Sequence, residues 1–527
     1  MKGGEELVAA LQSLGSRPVK QEQERQHRAE LKACAELVET LAQTSNLFQT
    51  YPEVLARLQH WQAHLATPRV LQVLVNEDRV GWLIDLNDIW LFQYDPAWAA
   101  NPDAFDLSPG LARSQGTHLD GASNRKVQWY FDNLLPEEDL LKVLAKEAQL
   151  EFKDAFGLLR YYGAESAGSL VLLPLGSALA ETGLVPLTRE GLDFRIKNLE
   201  KAPLTQGAPK RMSLAGAQHK MVVVATPEGL FEPMPGTPST HILKPNSPSP
   251  HYPNSVVNEY YIMRLAKELG LDVPCVSRVY LPEPAYLIER FDRRVHRLEP
   301  KQGVIEVDRM HVIDTCQLFD TSRALKYEEA TLATLTEAVC KTRSRAKTRQ
   351  HLFQWVVFNT LVGNGDNHLK NLSFQVTNKG VEFAPGYDML CTAVYETQGY
   401  SNDSAWPNNA ALGLKILSAA RFSEVTYGHL VEAGLALGLG RAATIRQLDR
   451  LITALEPKAR ALLEELEAGY GTPAPRDLLA PFHASPETKA SERQLLRSIF
   501  HVVIRGMAKQ VQASKPEASS ICVPLRG

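Results

Sequence analysis

Val362-Gly-Asn-Gly-Asp366-Asn-His368-Leu-Lys370-Asn371-Leu372 stands between two segments of regular periodicity and decides how the rest of the chain is read. Before it, Leu352 to Leu361 carries apolar residues at helical spacing. After it, Leu372 to Val376 and Val381 to Ala384 read as short strands joined by Asn378-Lys-Gly. A polar loop between a helix and a hairpin presents its side chains on a rigid frame. Asp366 and Asn371 stand five positions apart in it, and Asp388, in Gly386-Tyr-Asp-Met, follows Asn371 by seventeen. The intervening hairpin turns the chain back, so Asp388 is expected beside the loop.

This is the Asp-to-Asn spacing of a protein-kinase catalytic loop, where a carboxylate orients the acceptor hydroxyl and an amide oxygen reaches magnesium. Asp388 falls where a second metal ligand is needed. A hard cation held by oxygen ligands neutralises the charge concentrated on a transferred phosphoryl group and its leaving diphosphate. Taken alone, Asp366 and Asn371 read equally well as helix-cap and turn residues.

Upstream, Met212-Ser213-Leu-Ala215-Gly216-Ala217-Gln-His219-Lys220 precedes the strand Met221 to Ala225. Small residues there let backbone amides approach phosphate oxygens, although the pattern is not GxGxxG and an ordinary turn would look similar. Thr240-His-Ile-Leu-Lys244 ends an apolar strand with a lysine suited to nucleotide phosphates, and Glu259, on the helix Asn258 to Leu269, is a candidate partner. The strand Ala285 to Glu289, running into Arg290 and Phe291, joins a mixed region to a helical one. It can serve as an adenine-binding hinge or be an edge strand ending in a charged turn.

The 527 residues, 44% hydrophobic and 22% charged, allow two or three domain cores. A net charge of −3 gives no global field for nucleic acid or acidic lipid, so any DNA contact needs a local patch or a partner. Six cysteines without a CxxC pair fit neither a disulfide framework nor a zinc site, and a reducing cytosol follows. The start lacks a signal-peptide run, and no stretch approaches the roughly 18 apolar residues of a membrane span. Cytoplasmic location without membrane contact is expected. The reading divides the chain into a helical extension (1–68), a β-rich accessory subdomain (69–180), a mixed lobe (181–289), a helical lobe (290–470), and a linker with a tail helix and frayed end (471–527).

Taken in order, MSLAGAQHK, STHILKPN, VNEYYIMRLAKELGLDVP, YLIERFDRR, LKYE, VGNGDNHLKNLSF and APGYDM resemble the successive motifs of the HipA family of toxin-like serine/threonine kinases. YFDNLLPE and FGLLRYYGAESAGSLVLLP resemble the family's amino-terminal subdomain, and the similarity spans roughly residues 70 to 470. The resemblance implies an α+β, bilobal protein-kinase-like fold with ATP and Mg2+ in the interlobe cleft. Asp366 would be the base, and Asn371 and Asp388 metal ligands. Lys244, the loop Ser213 and Ala215 to Ala217, the hinge Glu289, Arg290 and Phe291, and His368 would contact the nucleotide. Ser213 matches an autophosphorylated serine whose modification adds about −2 charge where ATP phosphates sit and would switch the enzyme off. The family also implies a protein substrate such as an aminoacyl-tRNA synthetase, and a helix-turn-helix antitoxin that makes the DNA contact. His219 replaces a more usual acid, and Gly386 a bulkier residue.

Residues 1–68 fall outside the resemblance. A fused antitoxin is one reading of them, but no recognition-helix pattern or dense Lys/Arg face supports DNA binding. Two other functions compete with a protein kinase. Small-molecule phosphotransferases share the Asp and Asn arrangement, but their acceptor pockets carry extra acids, whereas His368 and Lys370 stand here. A non-catalytic repressor partner would not need Lys244, Asp366, Asn371 and Asp388 together.

Overall fold

The computed structural model describes residues 2–178, 181–199, 204–205, 208–210, 212, 214, 216, 218–280, 283–300, 303–469 and 484–516, with side chains from residue 21 onward. The amino-terminal subdomain is a five-stranded antiparallel sheet. Its order is Thr117–Leu119, Trp90–Tyr94, Asp78–Asp85, Val70–Val75, Leu170–Pro174. Alternation sends Leu71, Val73, Leu83 and Phe92 to one face, against the helices Lys126–Asp132, Glu138–Glu147 and Ala155–Tyr162. Val70, Trp82, Ile84 and Leu91 go to the other.

The extension covers that second face. It forms three helices, Lys2–Thr44, Leu47–Thr50 and Pro52–Ala63. Cys34, Leu37, Leu41, Leu47, Val54, Leu58 and Trp61 pack on the sheet, so both sides of the strands are buried. Arg160 holds the extension through Glu30, 2.6 Å away.

A second antiparallel sheet follows, in the order Val276–Tyr280, Pro284–Glu289, His241–Pro245, Met221–Thr226, Gly229–Pro233, Leu184–Pro186. The helix Ser255–Glu268 begins three residues before its expected start and packs between this sheet, where Arg278 lies 5.3 Å from the Tyr260 ring, and the helical lobe, where the Tyr261 hydroxyl donates to Ala459 O. Glu259 thereby lies in the second helical turn, facing Lys244 rather than capping an end.

The helical lobe has one large apolar core, to which Leu332–Lys341, Arg345–Leu361, Tyr427–Ala436 and Arg441–Ala468 contribute. The tail helix differs from expectation. It runs Pro486–Ser498, a π segment Ile499–Ile504, then Arg505–Ala513. Leu495, Leu496, Ile499, Phe500, Val503, Ile504, Met507 and Val511 are all buried in the core. Its apolar stripe is wide enough to be a core element; only the Pro- and Ser-rich flanks suggested a tail. Those flanks, 470–483 and 517–527, lie outside the described residues. The predicted hairpin forms, Ser373–Thr377 pairing Gly380–Phe383, with Val312–Asp314 as a third strand.

Candidate active site

The helix Arg345–Leu361 ends where Gly363 takes φ +70°. A side chain there would stand 2.5 Å from Val503 Cγ1 and 2.9 Å from Ala393 Cβ, so only glycine fits this close turn. The loop that follows holds itself by its own polar groups. Asn364 donates to Asn359 Oδ1 at 2.7 Å and accepts from the Asp366 N–H at 3.0 Å. Asn371 Nδ2 donates to the Asp366 carbonyl at 2.7 Å, which leaves Oδ1 as the outward polar atom of the amide.

Asp366 keeps 41% of its side chain exposed and Asp388 32%, so both carboxylates face the open cleft. Lys244 Nζ bridges two acids, Asp388 Oδ1 at 2.5 Å and Glu259 Oε1 at 2.8 Å. Register explains the approach: Lys244 pairs with Tyr286 across the sheet, while the helix behind presents Glu259. Asp388 has φ +55°, an uncommon backbone state tolerated by Asp and frequent at functional sites.

The electrostatics of the cluster follow from these contacts. Burial would raise the Asp388 carboxyl, but Lys244 and then Lys220 bring it down to about 2. Burial and the Asp388 charge together push Glu259 up to about 7, against the pull of Lys244, because one ammonium serves two acids. Lys244 is held charged above its ordinary range by the same two acids, which overcome its burial. Lys220, buried and facing Lys244, falls to about 8. Enclosure by the cleft walls lifts Asp366 to about 6, although two-fifths of its side chain stays open; the Tyr327 hydroxyl, which donates to Asp366 Oδ1, opposes the rise.

Among the described residues no three His, Cys, Asp or Glu side chains form a complete metal centre. The oxygens of Asn371 and Asp388 make a hard but incomplete donor set, which suits magnesium sharing its shell with phosphate and water. Two further features fit a phosphate ligand. His368 is buried and neutral, lowered to about 4 by burial, and its Nδ1 has no hydrogen-bond partner. Gly216 has φ +102°, and a side chain there would meet Lys220 Nζ at 2.7 Å.

Of the residues singled out by sequence, Lys244, Asp366, His368, Asn371 and Asp388 come together, with Glu259 alongside. Ser213, Ala215 and Ala217 lie outside the described residues. Glu289 ends a strand beside Cys275, and Phe291 lies 5.5 Å from the Tyr387 ring. Arg290 does not offer its side chain to the cleft. Its guanidinium is enclosed by Glu165 at 2.9 Å, Asp292 at 2.7 Å, Ser239 and the Ser166 carbonyl, while the Arg290 backbone N–H donates to Thr240 O. A buried guanidinium takes as many acceptors as it can reach, and spacing alone could not reveal these. Sequence reading missed Tyr327 and Lys326 as site residues; their Leu325-Lys-Tyr-Glu motif was the available signal.

The sequence matches the family models described as the HipA N-terminal domain over residues 71–173 and the HipA-like C-terminal domain over residues 212–465. The serine/threonine-protein kinase toxin HipA of Shewanella oneidensis is 32% identical over 327 residues, covering 59% of this chain and 71% of that protein. The solved structure of Shewanella oneidensis HipA with HipB and operator DNA superposes with a TM-score of 0.64 at 25% identity, covering 84% of this chain and 97% of that one. The mixed sheet and helical lobe therefore form the bilobal kinase-like fold, and the chain belongs to the HipA family.

Proposed function

We propose that this chain is an ATP- and magnesium-dependent serine/threonine protein kinase acting as a HipA-like toxin. The observation that carries the reading is the Lys244 ammonium between Glu259 and Asp388, opposite a loop that presents Asp366 and Asn371. Asp366 accepts the hydrogen bond of a serine or threonine hydroxyl and takes its proton as the phosphoryl group is transferred. Asn371 and Asp388 would hold magnesium, which supplies charge neutralisation at the phosphates when bound. Lys244, kept charged by its two acids, binds phosphate oxygens, with Lys220 and His368 assisting, and Ser213, Ala215, Gly216 and Ala217 would contribute to the same binding. The backbone from Glu289 to Phe291 receives the adenine. The Arg290 side chain contributes by fixing the hinge from behind.

The substrate proposed is a protein of translation, an aminoacyl-tRNA synthetase being the first to test. Autophosphorylation of Ser213 would limit activity by adding negative charge at the phosphate site. The Shewanella oneidensis complex contains HipB and operator DNA. By analogy, a helix-turn-helix antitoxin is proposed to bind this chain and make the DNA contact. No described helix is long and apolar enough to cross a membrane; we place the protein in the cytoplasm.

The test is mass spectrometry of purified protein incubated with ATP and magnesium, wild type beside Asp366→Asn. Phosphate on Ser213 in the wild type alone is the expected result. Its absence in both proteins, together with no magnesium-dependent ATP binding, would refute the kinase reading.

A further inference from the structure

Tyr130-Phe-Asp-Asn-Leu-Leu-Pro-Glu137 belongs to the five-stranded subdomain, far from the cleft in sequence. In space it touches three parts of the site. Glu137 Oε2 pairs with Lys326 Nζ, and Oε1 lies 3.7 Å from Lys370 Nζ. Lys370 is completed by Asp314 Oδ2 at 2.7 Å and by the Asn133 carbonyl and Oδ1, both at 2.9 Å. The Glu137 N–H donates to Gly216 O at 3.3 Å, beside a parallel bridge from Pro136 to Gly216. Arg323, three residues before Lys326, reaches Pro136 O at 2.8 Å and Asp132 at 3.2 Å.

The sequence neighbours of the two lysines give this arrangement its meaning. Lys326 precedes Tyr327, whose hydroxyl donates to Asp366, and the Leu369 N–H donates to Lys326 O at 3.1 Å. Lys370 precedes Asn371. We infer that Glu137 is a positioning residue of the transfer centre, one carboxylate from the amino-terminal subdomain that sets both the donor to Asp366 and the short 3-10 turn Leu369–Asn371 that carries Asn371. The inference rests on the kinase reading above and adds to it a route by which the amino-terminal subdomain controls the cleft.

Two observations separate this role from simple domain adhesion. Glu137, Lys326 and Lys370 are 6%, 9% and 5% exposed. A buried ion pair is a poor adhesive compared with apolar residues of similar volume, because desolvation offsets much of its attraction, whereas it does fix geometry. Moreover, Glu138 is held at φ +53°, a costly backbone state for glutamate that a surrounding structure must enforce. Adhesion alone would not require a strained residue beside the contact.

The experiment replaces Glu137 by Gln in the full chain and reads amide hydrogen exchange in 323–329 and 366–371 without ATP, then steady-state phosphoryl transfer. Faster exchange in both segments than in the rest of the chain is expected, above any general loss of stability from the uncompensated lysines. We also expect kcat lowered ~10-fold with the KM for ATP within about twofold, the pattern of a lost transition-state alignment. Lys326→Met should lower kcat similarly, and the double variant no further than either single, because both break one link. Glu137→Asp, which keeps the charge but shortens the reach, should fall between; it serves as the probe if the Gln variant does not fold. Unchanged exchange with unchanged kcat, or losses that multiply in the double variant, would overturn the inference. A wild type that transfers no phosphate while Glu137→Gln loosens both segments would refute the kinase reading and leave the coupling standing.

Discussion

Glu165 is fully buried, yet it contacts four cations: Lys210 at 2.6 Å, Arg293 at 2.8 Å, Arg290 at 2.9 Å and Arg309 at 3.4 Å. Asp292 is the other acid of the cluster, paired with Arg290 and Arg293. Glu165→Gln keeps the shape and removes one of two negative charges among four positive ones. Breaking a buried pair in this way costs about 3–5 kcal/mol, because the partners are left desolvated and uncompensated. Lys210 offers a partial escape. Burial lowers it to about 8, with Arg309 and Arg293 adding to the fall and Glu165 opposing it. Without Glu165 its folded-state pKa drops further below the unfolded value near 10.5. A lysine with a depressed folded pKa binds fewer protons folded than unfolded above that pKa, so stability rises with pH there. This window opens at lower pH in the variant than in the wild type. The penalty is therefore expected to be larger at pH 6 than at pH 8.5, shrinking by at most ~1.4 kcal/mol per pH unit over the range where Lys210 is neutral in the folded variant but still charged in the folded wild type. Urea unfolding followed by tryptophan fluorescence at pH 6 and 8.5 measures both quantities. A penalty below ~1 kcal/mol at pH 6, or one that grows with pH, would refute the reasoning.

Lys244→Met should weaken magnesium-ATP binding by at least ~10-fold in calorimetric titration while the protein stays folded, since the lysine is the cation held between Glu259 and Asp388. Binding within twofold of wild type would exclude Lys244 from the phosphate site. Phe500→Ala should cost about 3–5 kcal/mol in urea unfolding, because the ring is fully buried in the main core of the helical lobe. A loss under ~1 kcal/mol would mean that the tail helix is dispensable.

The catalytic-loop region was legible because its information is local. Helix end, polar loop, hairpin and returning Asp388 follow one another within about forty residues, and each has its own sequence signature. Lys244 could be read for the same reason, at the end of a short apolar strand. The contacts that escaped reading join distant segments: Glu137 with Lys326 and Lys370, and Glu165 with Arg290 and Arg293. A buried charge carries no local mark, since the same Glu or Arg in a solvated turn has the same neighbours in sequence. Arg290 illustrates this: a strand-end position suggested a hinge contact, and tertiary packing turned the side chain into the ion cluster. The Pro- and Ser-rich flanks of the tail helix mask its role, although the stripe Leu495, Ile499, Val503 and Met507 packs in the core.

The partition of the chain near residue 180 describes the sequence more than the packing. The core beneath the five-stranded sheet includes Ile313, Leu318, Phe374, Val376 and Val381, which belong to the segment and hairpin flanking the catalytic loop. Phe374 pairs with Phe383 across that hairpin, whose strands lead from Asn371 toward Asp388. The apolar energy that folds the hairpin is thus drawn largely from the amino-terminal subdomain. The ionic contacts of Glu137 and Glu165 tie segments of the amino-terminal subdomain to segments of the two lobes. Apolar burial supplies the adhesion and the buried charges supply the registration. A perturbation of the amino-terminal subdomain therefore acts on the geometry of Asp366, Asn371 and Asp388 without any ligand entering the cleft.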